Sequence, residues 1–159
     1  MNSINDAITI TFPDGKTKEF EKGITGYKIA ESIAKSLAKI AIAISVDNVQ
    51  KDLSDSINSD SSISIITLEN DEGLEIMRHT LTAQVLAKAI KNLYPLAKLA
   101  IGPTIDNGFY YDVSFEKQIS SEDLPKIEKE MNKIIKNGSA INKTIHSKED
   151  AIKLFNERN

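Results

Sequence analysis

No cysteine occurs in these 159 residues, which excludes a disulfide framework, a thiolate nucleophile and a Cys-based zinc site. Histidine is almost as scarce. Only His79 and His146 are present, so a multi-histidine metal cluster cannot form within the chain. No stretch approaches the roughly 20 consecutive apolar residues of a membrane span, and the N-terminal MNSINDAITITF lacks the basic and apolar parts of a leader. A cytoplasmic protein with no membrane partner is therefore expected. Neither a glycine-lysine-serine/threonine phosphate loop nor GxGxxG is found, so no nucleotide-binding motif is visible. Positive charge is not in excess either: residues 1–70 carry seven lysines against ten acids, and residues 71–159 carry thirteen cations against thirteen acids. Tight nonspecific binding to DNA is not expected, and any RNA contact must be local.

What is present is ordinary globular composition, 40% hydrophobic and 27% charged, enough for one domain or two small ones. Ile8, Ile10 and Phe12 alternate with Thr9 and Thr11, Pro13–Lys16 supplies turn chemistry, and a second alternating run covers 17–22. This pattern predicts a β-hairpin. Thr25 is placed to cap a helix whose apolar positions Ile29, Ala30, Ile33, Ala34 and Leu37 recur at helical spacing. A strand over 39–46 turns at Asp47-Asn48, and another over 62–68 carries Ile63, Ile65, Ile66 and Leu68. A short polar stretch, 52–57, is left as a strand or a 3₁₀ turn.

The polar run Asn70–Gly73 suggests a domain boundary near residue 70. Beyond it the pattern predicts one long helix over 74–94, stopped by Pro95. Strands are predicted over 98–101 and 108–115, either side of a Gly102-Pro103 turn and a 104–107 loop. A helix capped at Ser120 or Ser121 should run to about 136 and end at Asn137-Gly138. A strand over 140–146 and a capped helix over 147–157 complete the expectation, which is α+β throughout.

His79 is the one general-base candidate in a folded segment, although a lone helical histidine is ordinarily a surface or packing residue. Gly108 would let backbone approach closely beside Tyr110, Tyr111 and Asp112, which by themselves read more readily as core aromatics next to an exposed acid. Asp14, Lys16 and Asp47 lie in turns, where their role is conformational.

Residues 8–68, with FPDGK at 12–16, ITGYKIAESIAKSLAK at 24–39 and ISIITL at 63–68, resemble the TGS domain, a β-grasp module. That module is found in threonyl-tRNA synthetases, certain GTPases and stringent-response nucleotide synthetases. LEIMRHTLTAQVLAKAIKNLYP at 74–95 and IGPTIDNGFYYDV at 101–113 look like the start of the editing domain of bacterial threonyl-tRNA synthetases. The resemblance implies a TGS domain over 1–69 and the first part of an editing domain over 70–159. It extends through 120–138 and 147–159, and it implies an N-terminal fragment or truncated reading frame of a longer enzyme. On that reading the missing cysteine reflects missing sequence.

The family's editing domain hydrolyses serine mischarged onto threonine tRNA, a discrimination that binding alone cannot supply. Carried over, its first catalytic histidine is His79 and its tyrosine is Tyr111, with Gln84 and Asp112 as substrate-binding positions. Threonine tRNA is the implied partner. ATP, magnesium, zinc and the homodimer belong to an aminoacylation core outside this chain, so no cofactor is implied within it. The family's HxxxH pair is altered here: one extra residue is present, and Gln84 stands where the second histidine is expected. Five positions apart, His79 and Gln84 cannot share a face of an unbroken α-helix; absorbing the extra residue before the helix begins would return Gln84 to the cleft. An amide still cannot exchange a proton as imidazole does. The chain alone is therefore expected to be inactive in editing. The competing reading is a stand-alone TGS-containing module that binds RNA or protein without catalysis.

Overall fold

The computed structural model describes residues 6–157; residues 1–5, Arg158 and Asn159, at the outer ends of the two expected domains, lie outside the described residues. The chain divides into two compact units, Met1–Gln118 and Ile119–Asn159. The division expected near residue 70 falls inside the first of them.

Strands β1 (Ala7–Thr11) and β2 (Thr17–Glu21) pair antiparallel with Thr11 opposite Thr17. The turn between them closes as the Phe12 amide donates to the Lys16 carbonyl at 2.8 Å, with Gly15 at φ +80°, a conformation that costs glycine little. The Lys16 side chain, 2.9 Å from the Asp14 carboxylate, holds that carboxyl below its usual range by hydrogen bonding. Both groups are solvent-exposed, so the pair adds little to stability.

Short β3 (Ile24–Thr25) leads into α1 (Gly26–Ile33), and the Thr25 hydroxyl caps it by accepting from the Lys28 amide at 3.4 Å. The single helix expected to continue past Leu37 is broken instead. Ala34 is extended (φ −160°, ψ 138°), and α2 (Lys35–Ile40) starts afresh. The break re-aims the chain: Ile29 and Ala30 are buried from α1 and Ala38 from α2, while Ile33 is left half exposed. Strand β4 (Ala41–Val46) consequently begins two residues later than the β-branched run suggested.

Asp47 and Asn48, both at positive φ (50° and 64°), turn β4 into β5 (Val49–Lys51), the conformation a two-residue hairpin requires. Strand β6 (Ser56–Ile57) pairs with β3, and β7 (Ser61–Thr67) completes a sheet of order β2-β1-β7-β4-β5. Only β1 and β7 run parallel. Ile8, Ile10, Ile44, Val46 and Ile63 alternate onto one face and enclose Ile29 of α1 together with Ile57. Each buried isoleucine contributes roughly 1.5–3 kcal/mol. This is the β-grasp arrangement expected of the first 69 residues.

The opposite face of the sheet carries Thr9, Thr11, Ser45, Ser62 and Ser64, but at one end Ala43 faces Ile66 and both are buried. Helix α3 (Asp71–Thr80) covers that end. Its start is fixed by Asn70, whose side chain accepts from the Thr67 amide at 2.8 Å and whose amide donates to the Thr67 carbonyl at 3.1 Å. A π turn, Leu81–Leu86, and α4 (Ala87–Leu93) follow, so the predicted continuous helix is interrupted. The Lys91 ammonium ties the segment after α4 back to the helix by donating to the carbonyls of Pro95 and Ala97. Beyond it β8 (Lys98–Leu99) pairs with β11 (Val113–Ser114), and β9 (Thr104–Ile105) with β10 (Gly108–Phe109). The expected 104–107 loop is thus largely a hairpin, and the two expected strands are shorter than their patterns.

In the second unit Ser120 and Asp123 form a reciprocal capping box over a 3₁₀ turn, α5 (Leu124–Asn137) follows, and Gly138 ends it in the left-handed conformation (φ 60°). Helix α6 (Lys148–Glu157) is capped by Ser147, whose Oγ accepts from the Asp150 amide at 3.1 Å. Between them the strand expected over 140–146 is not formed. A strand exists only with a neighbour to take its backbone groups, and among the described residues nothing pairs with this one; Ile145 is 88% exposed. No helix among the described residues is long and apolar enough to cross a membrane.

The seat of α3 on the sheet yields a test. A methyl at Gly73 would lie 1.9 Å from the Thr67 carbonyl oxygen and 3.3 Å from Ile66, so backbone must move. In an open helix Gly→Ala gains about 1 kcal/mol. Here Gly73→Ala is expected to lose about 1–3 kcal/mol, read as a lowered urea midpoint; a raised midpoint contradicts this packing.

Candidate functional site

Glu75, Arg78, His79 and Thr82 follow one another at i, i+3, i+4 and i+7, which places them on one stripe of a helix. The stripe meets the segment 102–111. The Arg78 guanidinium donates to the Asp106 carbonyl at 2.7 Å, in the turn between β9 and β10, and the Thr104 hydroxyl lies 3.5 Å from the Glu75 carboxylate. His79 belongs to this stripe and is solvent-exposed, so its imidazole is open to a ligand or to water.

Tyr111 reaches the same helix. A methyl placed on Gly102 would lie 2.4 and 2.7 Å from the Cδ2 and Cε2 atoms of the Tyr111 ring and 2.6 Å from the Thr82 methyl. Ring edge, Gly102 backbone and Thr82 methyl therefore close on one point. The glycine is needed for this approach, with no positive φ and no turn at Gly102-Pro103. By contrast, a methyl on Gly108 would meet nothing within 4 Å, so the close approach expected there is found at Gly102. Asp112 is exposed, and its backbone pairs with the two residues that follow β8: its amide donates to Ile101 and its carbonyl accepts from Ala100, at 2.8 and 3.0 Å.

Gln84 sits in the π turn and is exposed. The residue that the resemblance makes extra between His79 and Gln84 falls where the helix is wound as a π turn: the Ala87 amide donates to the Thr82 carbonyl, five residues back. A π turn wraps one more residue per hydrogen-bonded ring than an α turn, so each residue turns through a smaller angle. Gln84 is thereby swung back toward the His79 side of the helix. The condition of an unbroken α-helix, on which their separation was argued, does not hold.

Thr82 does not stand out in the sequence, and Gly102 reads there only as part of a turn. Thr82 is fully buried, and its hydroxyl donates to the Arg78 carbonyl at 2.8 Å; spacing from His79 gave no sign of this, because the helical period changes between them and α4. Among the described residues no three His, Asp or Glu side chains gather to hold a metal ion.

Residues 8–67 match the TGS domain. Over 148 residues, 93% of this chain, it is 51% identical to a threonine–tRNA ligase of Francisella philomiragia, and covers 23% of that protein. It is 49% identical over 154 residues to the threonine–tRNA ligase of Geobacillus sp. strain WCH70, and 49% identical over 152 residues to that of Clostridium novyi. These alignments take in 97% and 96% of this chain and 24% of each relative. The chain thus spans about a quarter of the length of the curated relatives it matches, in their N-terminal region.

Because the π turn holds one residue more than an α turn, deleting the exposed Ala83 is expected to turn Leu81–Leu86 into ordinary α-helix without unfolding the protein. Backbone chemical shifts should report continuous helix through position 84, with stability changed by less than about 1 kcal/mol, the range of surface changes. A variant without cooperative unfolding contradicts this.

Proposed function

We propose that this chain serves as the N-terminal, tRNA-contacting part of a threonine–tRNA ligase, and that its residues 70–159 contribute to hydrolytic removal of serine from mischarged threonine tRNA. The reading is supported by about 50% identity to threonine–tRNA ligases along nearly the whole chain. The observation that carries the site is the packing of the His79 helix against the Tyr111 segment at Gly102.

The reaction is hydrolysis of an ester. His79 accepts a proton from water as it attacks the seryl carbonyl, the bond to the ribose oxygen breaks, and that oxygen takes up a proton to leave as the hydroxyl of the terminal adenosine. Tyr111 orients the adenosine or the aminoacyl group. Gln84 offers an amide to the serine side chain, as both donor and acceptor, and the Asp112 carboxylate suits the α-ammonium. ATP, magnesium and zinc have no role in this step, and the ligation that uses them lies with the remaining length of the relatives. In this reading the protein works in the cytoplasm and its partner is threonine tRNA.

With only one imidazole in the site, the purified chain is expected to leave seryl-tRNA intact; measurable deacylation by the chain alone overturns that part. A chimera carrying this chain in place of the matching quarter of the Clostridium novyi ligase is expected to deacylate seryl-tRNA. His79→Ala in that chimera should slow the reaction by about 100-fold or more, the ordinary contribution of a general base. Unchanged proofreading by the His79→Ala chimera would reduce His79 to a surface residue and leave the TGS-type binding module as the better account.

A further inference from the structure

Thr82 is the one polar side chain among the described residues that is buried to 0% exposure, yet it lies in a helix whose neighbours Ala83 and Gln84 are exposed. Its two branches do different things. The hydroxyl is bound within the helix, donating to the Arg78 carbonyl four residues back, and this fixes the rotamer. The methyl is thereby directed outward, to the point where Gly102 and the Cδ2–Cε2 edge of the Tyr111 ring converge. The carbonyl that receives the hydroxyl belongs to the residue whose guanidinium holds the Asp106 carbonyl. The same residue immediately precedes His79. One helical turn therefore fixes the hairpin backbone through Arg78, borders the Tyr111 ring through Thr82 and carries the exposed His79.

We infer that Thr82 is a positioning residue that sets the orientation of the Tyr111 ring beside the helix carrying His79, with its methyl as the acting group. This rests on the proposed reading only in making Tyr111 a ligand-contacting group; the Thr82–Tyr111 coupling itself does not. The Thr82 methyl and the Tyr111 ring edge border one point beside Gly102, at 2.6 and 2.4 Å from it, and a methyl held there by an i−4 hydrogen bond limits the room in which the ring can turn. Gly102 supplies the third wall and has no side chain to yield.

The test separates the two branches in the full chain. Thr82→Ser keeps the hydroxyl and removes the methyl; Thr82→Val keeps a methyl in place and removes the hydroxyl. With ¹³C-labelled tyrosine rings, the Tyr111 flip rate is expected to rise at least tenfold in Thr82→Ser and to stay within about twofold of the parent in Thr82→Val, both variants being confirmed as folded by their cooperative melting. A second measurement uses adenosine 3′-linked to serine through a non-hydrolysable amide. Its affinity should fall about tenfold in Thr82→Ser and recover in Thr82→Val. An unchanged flip rate in Thr82→Ser, or an equal rise in both variants, overturns the inference. If the parent chain does not bind the amide, the reading of Tyr111 as a ligand contact fails while the flip rates still decide the role of Thr82.

Discussion

Strand β7 is the element on which the remaining architecture depends. It pairs with β1 on one side and β4 on the other, supplies Ile63 to the core between sheet and α1, and at its C-terminal end offers the Thr67 carbonyl to Asn70. That last contact starts α3 at a fixed place and direction, and Gly73 brings the helix down until its backbone touches the strand. Everything placed by α3, including the stripe from Glu75 to Thr82, inherits its position from the end of this strand. The sheet is therefore the base that aims the helix as well as a domain in its own right.

Much of this was legible because the signals were local. Alternation at Ile8, Ile10 and Phe12, turn residues at Pro13–Lys16 and Asp47-Asn48, the Thr25 cap and the Ser120 capping box each act within a few residues, and each is found where the pattern put it. The departures share a cause. Ala34 breaks a helix whose apolar spacing is regular, and the restart turns Ala38 inward while Ile33 is left half exposed. Residues 140–146 alternate like a strand but have no neighbour among the described residues, and periodicity records the capacity to pair without recording a partner. Both are decisions made by tertiary contacts, which no short window contains.

The candidate site divides in the same way. His79 and Tyr111 stand out by residue type and by resemblance, and the structure brings the elements carrying them together. The parts that join those elements, Thr82 and Gly102, are chemically bland and were visible only once the contact was. The π turn was unreadable for a different reason: one inserted residue leaves composition and hydrophobicity untouched and alters only the winding of the helix. The extra residue between His79 and Gln84 was apparent, but its place of accommodation was not.

The parallel pairing of β1 with β7 has a consequence for how the protein reaches this structure. The two hairpins, β1–β2 and β4–β5, close over a few residues and can form early, whereas Ile10 meets Ser61 only after about fifty residues of chain have been looped back, at an entropic cost that grows with loop length. Joining β1 to β7 is thus the slow, non-local event, whereas the end of the sheet on which α3 rests is made by the closer pairing of β4 with β7. Folding is expected to be paced by this single closure, because non-local pairing is slow to form.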